Sequence, residues 1–271
     1  MSLRTLGLNS TVKNLFTRHT DITRTVSTVL DFRNEGSKDV ESIMTRSDKE
    51  LGGYSTVNFT IDPEENVGHF HGYLSLDLPK DNPEVTRSGY AMFRTKDQKE
   101  SWISGDSYWD WSNFDSLVMR VKGDRRKYLL NIQANTPLVT DLFQHRLFLH
   151  HPGQWETVVI PLNDFVMTNW GVIQDGSDIN KAEVKTFGVG LLDKQYGPYS
   201  LKIDWVKVMT GAEVLKETNK SRSQLIHEDH VNNGGIENDP IDPHKHALHE
   251  QQTAGSPLHT IKPEEPKGTL F

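Results

Sequence analysis

The chain contains no cysteine, and that absence removes disulfide frameworks, thiolate zinc sites and cysteine nucleophiles together. It has no run of about 18 apolar residues, the length a membrane-spanning helix needs, so any membrane contact is expected to be peripheral, through a partner or a surface patch. Positive charge is not in excess: 30 Lys and Arg face 37 Asp and Glu, for a formal charge of -7 and a pI near 5.9. That balance excludes the basic footprint by which proteins displace counterions from nucleic acid. Apolar residues are scarce as well, at 35% with a mean hydropathy of -0.60, below the usual globular share. Part of the 271-residue chain is therefore expected to stay outside any core.

What is present divides the chain into three. Before Asp31 the only acid is Asp21, while Arg4, Lys13, Arg18 and Arg24 are interleaved with Ser and Thr. This suits either a mitochondrial targeting segment or an ordinary amphipathic helix packed on the domain. We expect residues 1–27 to be a targeting or flexible segment and residues 28–217 to form the domain. Residues 218–271 read as a polar, disordered tail, punctuated by Asp239-Pro240, Asp242-Pro243, Ser256-Pro257 and Lys262-Pro263.

From about residue 55 to 210 the hydrophobic period is two, the signature of strands. Leu117, Met119 and Val121 alternate with other residues, Lys122-Gly123-Asp124-Arg125 supplies turn chemistry, and Tyr128, Leu130 and Ile132 resume the alternation, which predicts a hairpin. Val158 and Ile160 lead to Pro161, which closes a strand because proline cannot donate to the ladder. Gly188 and Gly190 predict a bend or a close backbone approach. In the last strand Tyr199, Leu201, Ile203 and Trp205 are expected on one face, with Ser200, Lys202 and Asp204 on the other. Residues 35–50 read as a short charged helix or loop. Many short strands with little helix predict an all-β sandwich or jelly roll.

Few residues form a chemical constellation. His227, His230, His244, His246, His249 and His259 lie in the tail and lack the preoriented geometry of a zinc site. His69 and His71 share one face of a strand, with no strained serine or acid motif beside them in sequence. Asp204 is a potential oxygen ligand for calcium or an acceptor for a neighbouring loop. Gly52-Gly53 and Gly188-x-Gly190 do not sit between a strand and a helix, so they are not phosphate cradles. The basic cluster Lys122, Arg125, Arg126 and Lys127 fits an acidic partner or a solvated turn. Trp102, Tyr108, Trp109, Trp111 and Phe114 crowd together, and Phe165, Trp170 and Tyr196 follow in later loops. Exposed, such rings form a sugar-stacking platform or a protein-docking patch; buried, they close the sandwich. The partner-binding candidates are Trp109, Trp111, Arg125, Arg126, Trp170 and Tyr196, with no catalytic residue, metal or cofactor assigned.

Several segments, in this order, resemble the complex I intermediate-associated family: Leu51-Gly52-Gly53-Tyr54-Ser55, Ser88-Gly89-Tyr90-Ala91-Met92-Phe93-Arg94, Asp110-Trp111-Ser112-Asn113-Phe114-Asp115, Arg120-Val121-Lys122-Gly123-Asp124, Trp155 to Leu162 with Phe165, and Gly197 to Asp204. The resemblance covers about residues 30–210 and implies a galactose-binding-like β-sandwich. It also implies a non-catalytic protein on the matrix side of the inner mitochondrial membrane. That protein would bind assembly intermediates of respiratory complex I together with other assembly factors, among them an acyl-CoA-dehydrogenase-like one. Arg125 stands where the family often has a further glycine. The alternative is a carbohydrate-binding module of the same sandwich type, with Trp109, Trp111 and Trp170 stacking on sugar rings.

Overall fold

The alternating apolar residues do form strands, but most strands pair with partners far away in the chain. A computed structural model describes residues 24–80, 82–86, 88–97, 108–176 and 178–220, the side chain of Ser37 excepted. All belong to the first of two units into which the chain divides, Met1–Gln224. Residues 1–23 and the histidine-bearing tail lie outside the described residues.

The first half of the described chain holds β1 (Val26–Asp31), α1 (Phe32–Glu35), α2 (Ser37–Glu41), β2 (Ile43–Ser47), β3 (Thr56–Asp62), β4 (Val67–Leu74), β5 (Ala91–Thr95) and β6 (Ser116–Gly123). The second half holds β7 (Tyr128–Ala134), β8 (Asp141–Arg146), β9 (Glu156–Pro161), β10 (Val166–Asn169), β11 (Val172–Ile173), β12 (Val184–Leu191) and β13 (Gly197–Met209). A short helix over 211–220 follows. One antiparallel sheet runs β3-β4-β13-β6-β9 with β1 also on β13, and the other runs β11-β10-β8-β7-β12-β5-β2. The fold is an all-β sandwich, as the periodicity predicts.

The two sheets meet over Phe70, Phe93, Leu117, Met119, Val121, Tyr128, Leu130, Ile132, Phe143, Phe187, Val189, Tyr199 and Leu201, all essentially buried. Phe70 is the hub: its ring centroid lies 5.1 Å from Phe93 and 5.0 Å from Tyr199, in the tilted and edge-on geometries that aromatic quadrupoles favour. Each such side chain contributes about 1.5–3 kcal/mol by leaving water.

Three local expectations are corrected. β6 and β7 are not a hairpin: β6 lies in the first sheet and β7 in the second, so residues 124–127 cross between sheets. Alternation reports that a strand has one buried face, not which sheet it joins. Asp124 fixes the crossing, accepting from the Arg126 N–H (2.9 Å) and the Tyr128 hydroxyl (3.0 Å) on Oδ1 and from the Ser200 N–H (2.7 Å) on Oδ2. Burial and the nearby Asp124 carboxylate both raise the pKa of Tyr128, which keeps the phenol a donor.

Second, the face assignment of β13 fails after Ile203. The register slips between Ile203 and Trp205 against β6, so Asp204, Val206 and Val208 are buried, while Trp205 turns outward beneath the Lys207 ammonium, 4.5 Å from the ring centroid. One extra residue reverses the parity of every side chain beyond it. Asp204 pairs with Arg33 at 2.9 Å and lies 3.9 Å from Arg120, so its oxygens already face cations of the chain itself. Third, residues 35–50 hold the short charged helix expected there, α2, but also the strand β2, and run into a 3-10 turn, Asp48–Leu51.

The outer face of the first sheet is ionic. Glu65, in the β3–β4 turn, accepts from the ammonium groups of Lys122 (2.8 Å) and Lys202 (2.7 Å) and from the Trp155 indole N–H (2.7 Å). Those donors hold its carboxyl down to about 2, Lys122 first and Lys202 second, while Lys202 does the same for Asp62, also to about 2. A carboxylate whose folded pKa is depressed contributes stability above its ordinary value of 4.5 and loses that contribution as pH falls toward about 2. Glu65→Gln is therefore expected to unfold in urea with a midpoint that changes less between pH 6 and pH 3 than the parent's. Equal changes in the two proteins would show that the network contributes nothing.

His69 and His71 share this face as expected, with ring centroids 4.3 Å apart. His69 Nε2 lies 2.8 Å from Ser200 Oγ and His71 Nε2 3.4 Å from Thr60 Oγ1. Burial, first, and the neighbouring His71 lower the pKa of His69, so its ring favours the neutral form. No group of three or more His, Cys, Asp or Glu suited to a metal occurs among the described residues.

Candidate partner-binding surface

The six residues singled out in the sequence do not converge. Trp111 is buried, 1% exposed, and lies parallel to Trp109 with centroids 5.8 Å apart at 10°. Backbone bonds hold both: Trp109 exchanges N–H and C=O with Val184 (2.9 and 3.1 Å), and the Trp111 N–H donates to Lys181 O (2.6 Å). Trp111 therefore closes the sandwich instead of offering a ring to a partner or a sugar. Arg126 is likewise not a free cation. Its guanidinium donates to both oxygens of Asp193 (2.7 and 2.8 Å) and to the carbonyls of Gln195, Gly197 and Pro198 (2.7, 3.2 and 3.1 Å). It staples the β12–β13 loop, while its neighbour Arg125 is exposed.

Tyr196 is exposed and donates its hydroxyl to Asp77 Oδ1 at 2.6 Å. It follows β12 past Leu191, at the end of the second sheet where Leu191 pairs with Tyr128. Trp170 stands at the opposite end, between Asn169 and Val172, where β10 pairs with Asp141 of β8.

Trp170 belongs to a distinct surface. Asn169 pairs with Val172, leaving Trp170-Gly171 as a two-residue turn with φ of 50° and 76°, as a type I′ hairpin requires. Glycine accepts that conformation at no steric cost, but a bulky residue in the left-handed region is a true outlier, so the indole is displayed at a conformational cost. Trp170 is 83% exposed, Ile173 70% and Val172 64%. The β7–β8 loop adds Leu138 and Val139, the latter 79% exposed. It is held beside the hairpin by the Asn169 amide, which donates to Thr140 Oγ1 and Asp141 Oδ1, both at 2.7 Å. The Gln133 amide, in turn, donates to Val139 O at 2.9 Å.

The result is an apolar corner at the β11 edge of the second sheet. Edge strands are ordinarily blunted by charge, proline or short length; β11 has only the last, being two residues long, and both of its side chains are apolar. Contiguous exposed apolar groups of this kind mark docking surfaces in soluble proteins. Of the six candidates only Trp170 lies in it; Leu138, Val139, Val172 and Ile173 were not singled out. Their signal was the Asn169-Trp170-Gly171 turn followed by two β-branched residues, and an apolar pair after Pro137.

The turn strain gives a test. Trp170→Asn places a residue that tolerates the left-handed region before Gly171 and is expected to raise stability by about 1 kcal/mol, measured as the urea midpoint. A fall in stability would mean that the indole packs on the fold instead of facing outward.

Comparison with known proteins places the chain as follows. Residues 30–203 match the family model described as Complex I intermediate-associated protein 30. A Neurospora crassa protein named "Complex I intermediate-associated protein 30, mitochondrial" is 38% identical over 204 residues, which cover 66% of this chain and 73% of that one. Its namesake from Mus musculus is 28% identical over 202 residues, covering 73% and 60%, and that from Drosophila melanogaster 30% over 184, covering 66% and 61%. Among solved structures, a family 11 carbohydrate-binding module of Clostridium thermocellum is similar with a TM-score of 0.46 and 13% identity, over 69% of this chain and 95% of the module.

Proposed function

The chain belongs to the complex I intermediate-associated protein 30 family, and from that membership we propose that it is a non-catalytic assembly factor that binds intermediates of mitochondrial respiratory complex I. In this reading it works on the matrix side of the inner membrane, attached there through partners, which include other assembly factors such as an acyl-CoA-dehydrogenase-like one. Of residues 1–27, the stretch ahead of β1 serves as the targeting segment, while Val26 and Ser27 belong to the sheet, and no cofactor takes part. The observation that supports the reading best is the exposed apolar corner around Trp170: it has the makings of a contact held for other proteins, because water-exposed Trp, Val and Ile lower their free energy only when a partner covers them.

The test is native purification of the tagged chain from isolated mitochondria, with mass spectrometry of what accompanies it. Complex I subunits and assembly factors are expected. Absence of the protein from mitochondria, or its retention on glycan resin with no complex I subunit, would overturn the reading.

A further inference from the structure

We propose that the Trp170 corner receives a protein segment whose apolar run is flanked by Lys or Arg, and not a lipid surface; this rests on the reading of the chain as an assembly factor. The argument is one of charge around an apolar centre. The five exposed apolar residues of the corner come from two stretches, 131–144 and 160–180, and neither contains a single Lys or Arg. Beside the hairpin they hold Asp141, bonded to Asn169, and, in the segment that follows β11, Asp175 and Asp178. Asp175 and Asp178 are exposed.

Asp141 is buried, 5% exposed. Its carboxylate accepts from the neutral Asn169 amide and forms no ion pair among the described residues. A buried carboxylate without a cation projects its field outward with little screening. The corner is thus apolar at its centre and negative around it.

Two occupants fit an exposed Trp with aliphatic neighbours. One is a membrane interface, where Trp rings settle at the headgroup level. The other is an apolar protein segment. The acidic rim separates them, because membrane-docking surfaces carry Lys and Arg to meet anionic headgroups, and Asp141, Asp175 and Asp178 would be repelled there. The same rim attracts an apolar segment with basic flanks, and complementary potentials of this kind steer association and exclude partners of the wrong sign.

The experiment uses the full chain in isolated mitochondria, with the photo-crosslinking residue benzoylphenylalanine placed at Val172 or, as a control, at Tyr196. Adducts are mapped by mass spectrometry. Alongside, the double charge reversal Asp175→Lys with Asp178→Lys is purified for its complex I subunits. The inference expects the Val172 adduct on a peptide with an apolar run and Lys or Arg within about five residues of it, close enough to meet the rim within a Debye length. It also expects recovery of complex I subunits to fall about tenfold in the double variant.

Adducts on lipid, adducts on a peptide with acidic flanks, or undiminished recovery by the double variant would overturn it. If the parent chain recovers complex I subunits and Val172 yields no adduct, this inference fails while the assembly reading stands. If the parent recovers none, the assembly reading itself fails.

Discussion

Replacing Arg126 by alanine is expected to lower stability by about 3–5 kcal/mol, read as a shift of the urea midpoint without a change of slope. The side chains of Arg126 and Asp193 are 9% and 0% exposed, so truncating either one strands the other as an uncompensated charge in a low dielectric. Arg126 also satisfies the carbonyls of Gln195, Gly197 and Pro198, which lead directly into β13. Lysine cannot rescue the site, because a single ammonium has no planar fork to meet a carboxylate and three carbonyls at once. Arg126→Lys should therefore recover only a minor part of the loss. A cost below about 1 kcal/mol for Arg126→Ala, the level of an exposed pair, would show that the loop is held by other means.

Asp48→Ala is expected to cost roughly 3–5 kcal/mol by a different route. Asp48 is 1% exposed, and its carboxylate gathers the Ser55 N–H (2.9 Å), the Ser55 hydroxyl (2.8 Å) and the Gly89 N–H (2.6 Å). It thereby joins Leu51-Gly52-Gly53-Tyr54-Ser55 to Ser88-Gly89-Tyr90, whose Gly89 lies 41 residues from Asp48, although the sequence presents them as unrelated motifs. Gly53 is part of the same arrangement, since a Cβ there would lie 2.5 Å from the Asp48 carboxyl carbon. Without the carboxylate three buried donors lose their acceptor, each at a cost of about 1–3 kcal/mol less whatever water recovers. The check is thermal unfolding of Asp48→Ala beside Asp48→Asn, which retains one acceptor oxygen and is expected to lose less. Equal losses would mean that packing, not hydrogen bonding, is at stake.

These two residues mark how far the sequence could be read. The strands themselves were legible, because Leu117, Met119 and Val121 or Tyr128, Leu130 and Ile132 must put one face in a core. Their pairing was not, because period two is identical in a hairpin and in a crossing between sheets; only the bonds to Asp124 distinguish them. The slip at Asp204 was invisible for a related reason: a bulge leaves the residue types unchanged and alters only their parity. Asp48 lies in a charged run whose composition suggests a solvated loop, and nothing local announces that Gly89 will meet it.

The candidate site was legible in kind and not in place. An excess of aromatics pointed to a docking surface, but burial is decided by the fold: Trp111 is inside and Trp170 outside, and no property of tryptophan separates them. Trp170 had a local signal in its Asn169 and Gly171 neighbours, the frame of a tight turn. Arg126 was read as a cation free for a partner, when five hydrogen bonds commit it to the chain itself.

β13 is the last strand among the described residues, yet it is the one on which β4, β6 and β1 all pair. Until residue 209 is available the first sheet is only a β3–β4 ribbon, a β6–β9 ribbon and a lone β1, none of which is stable alone in water. The second sheet has all its strands by Leu191, whereas the first cannot close before β13 is available. Closure of the sandwich therefore waits on the last of these pairings and is expected on the millisecond-to-second scale of domains built from long-range contacts.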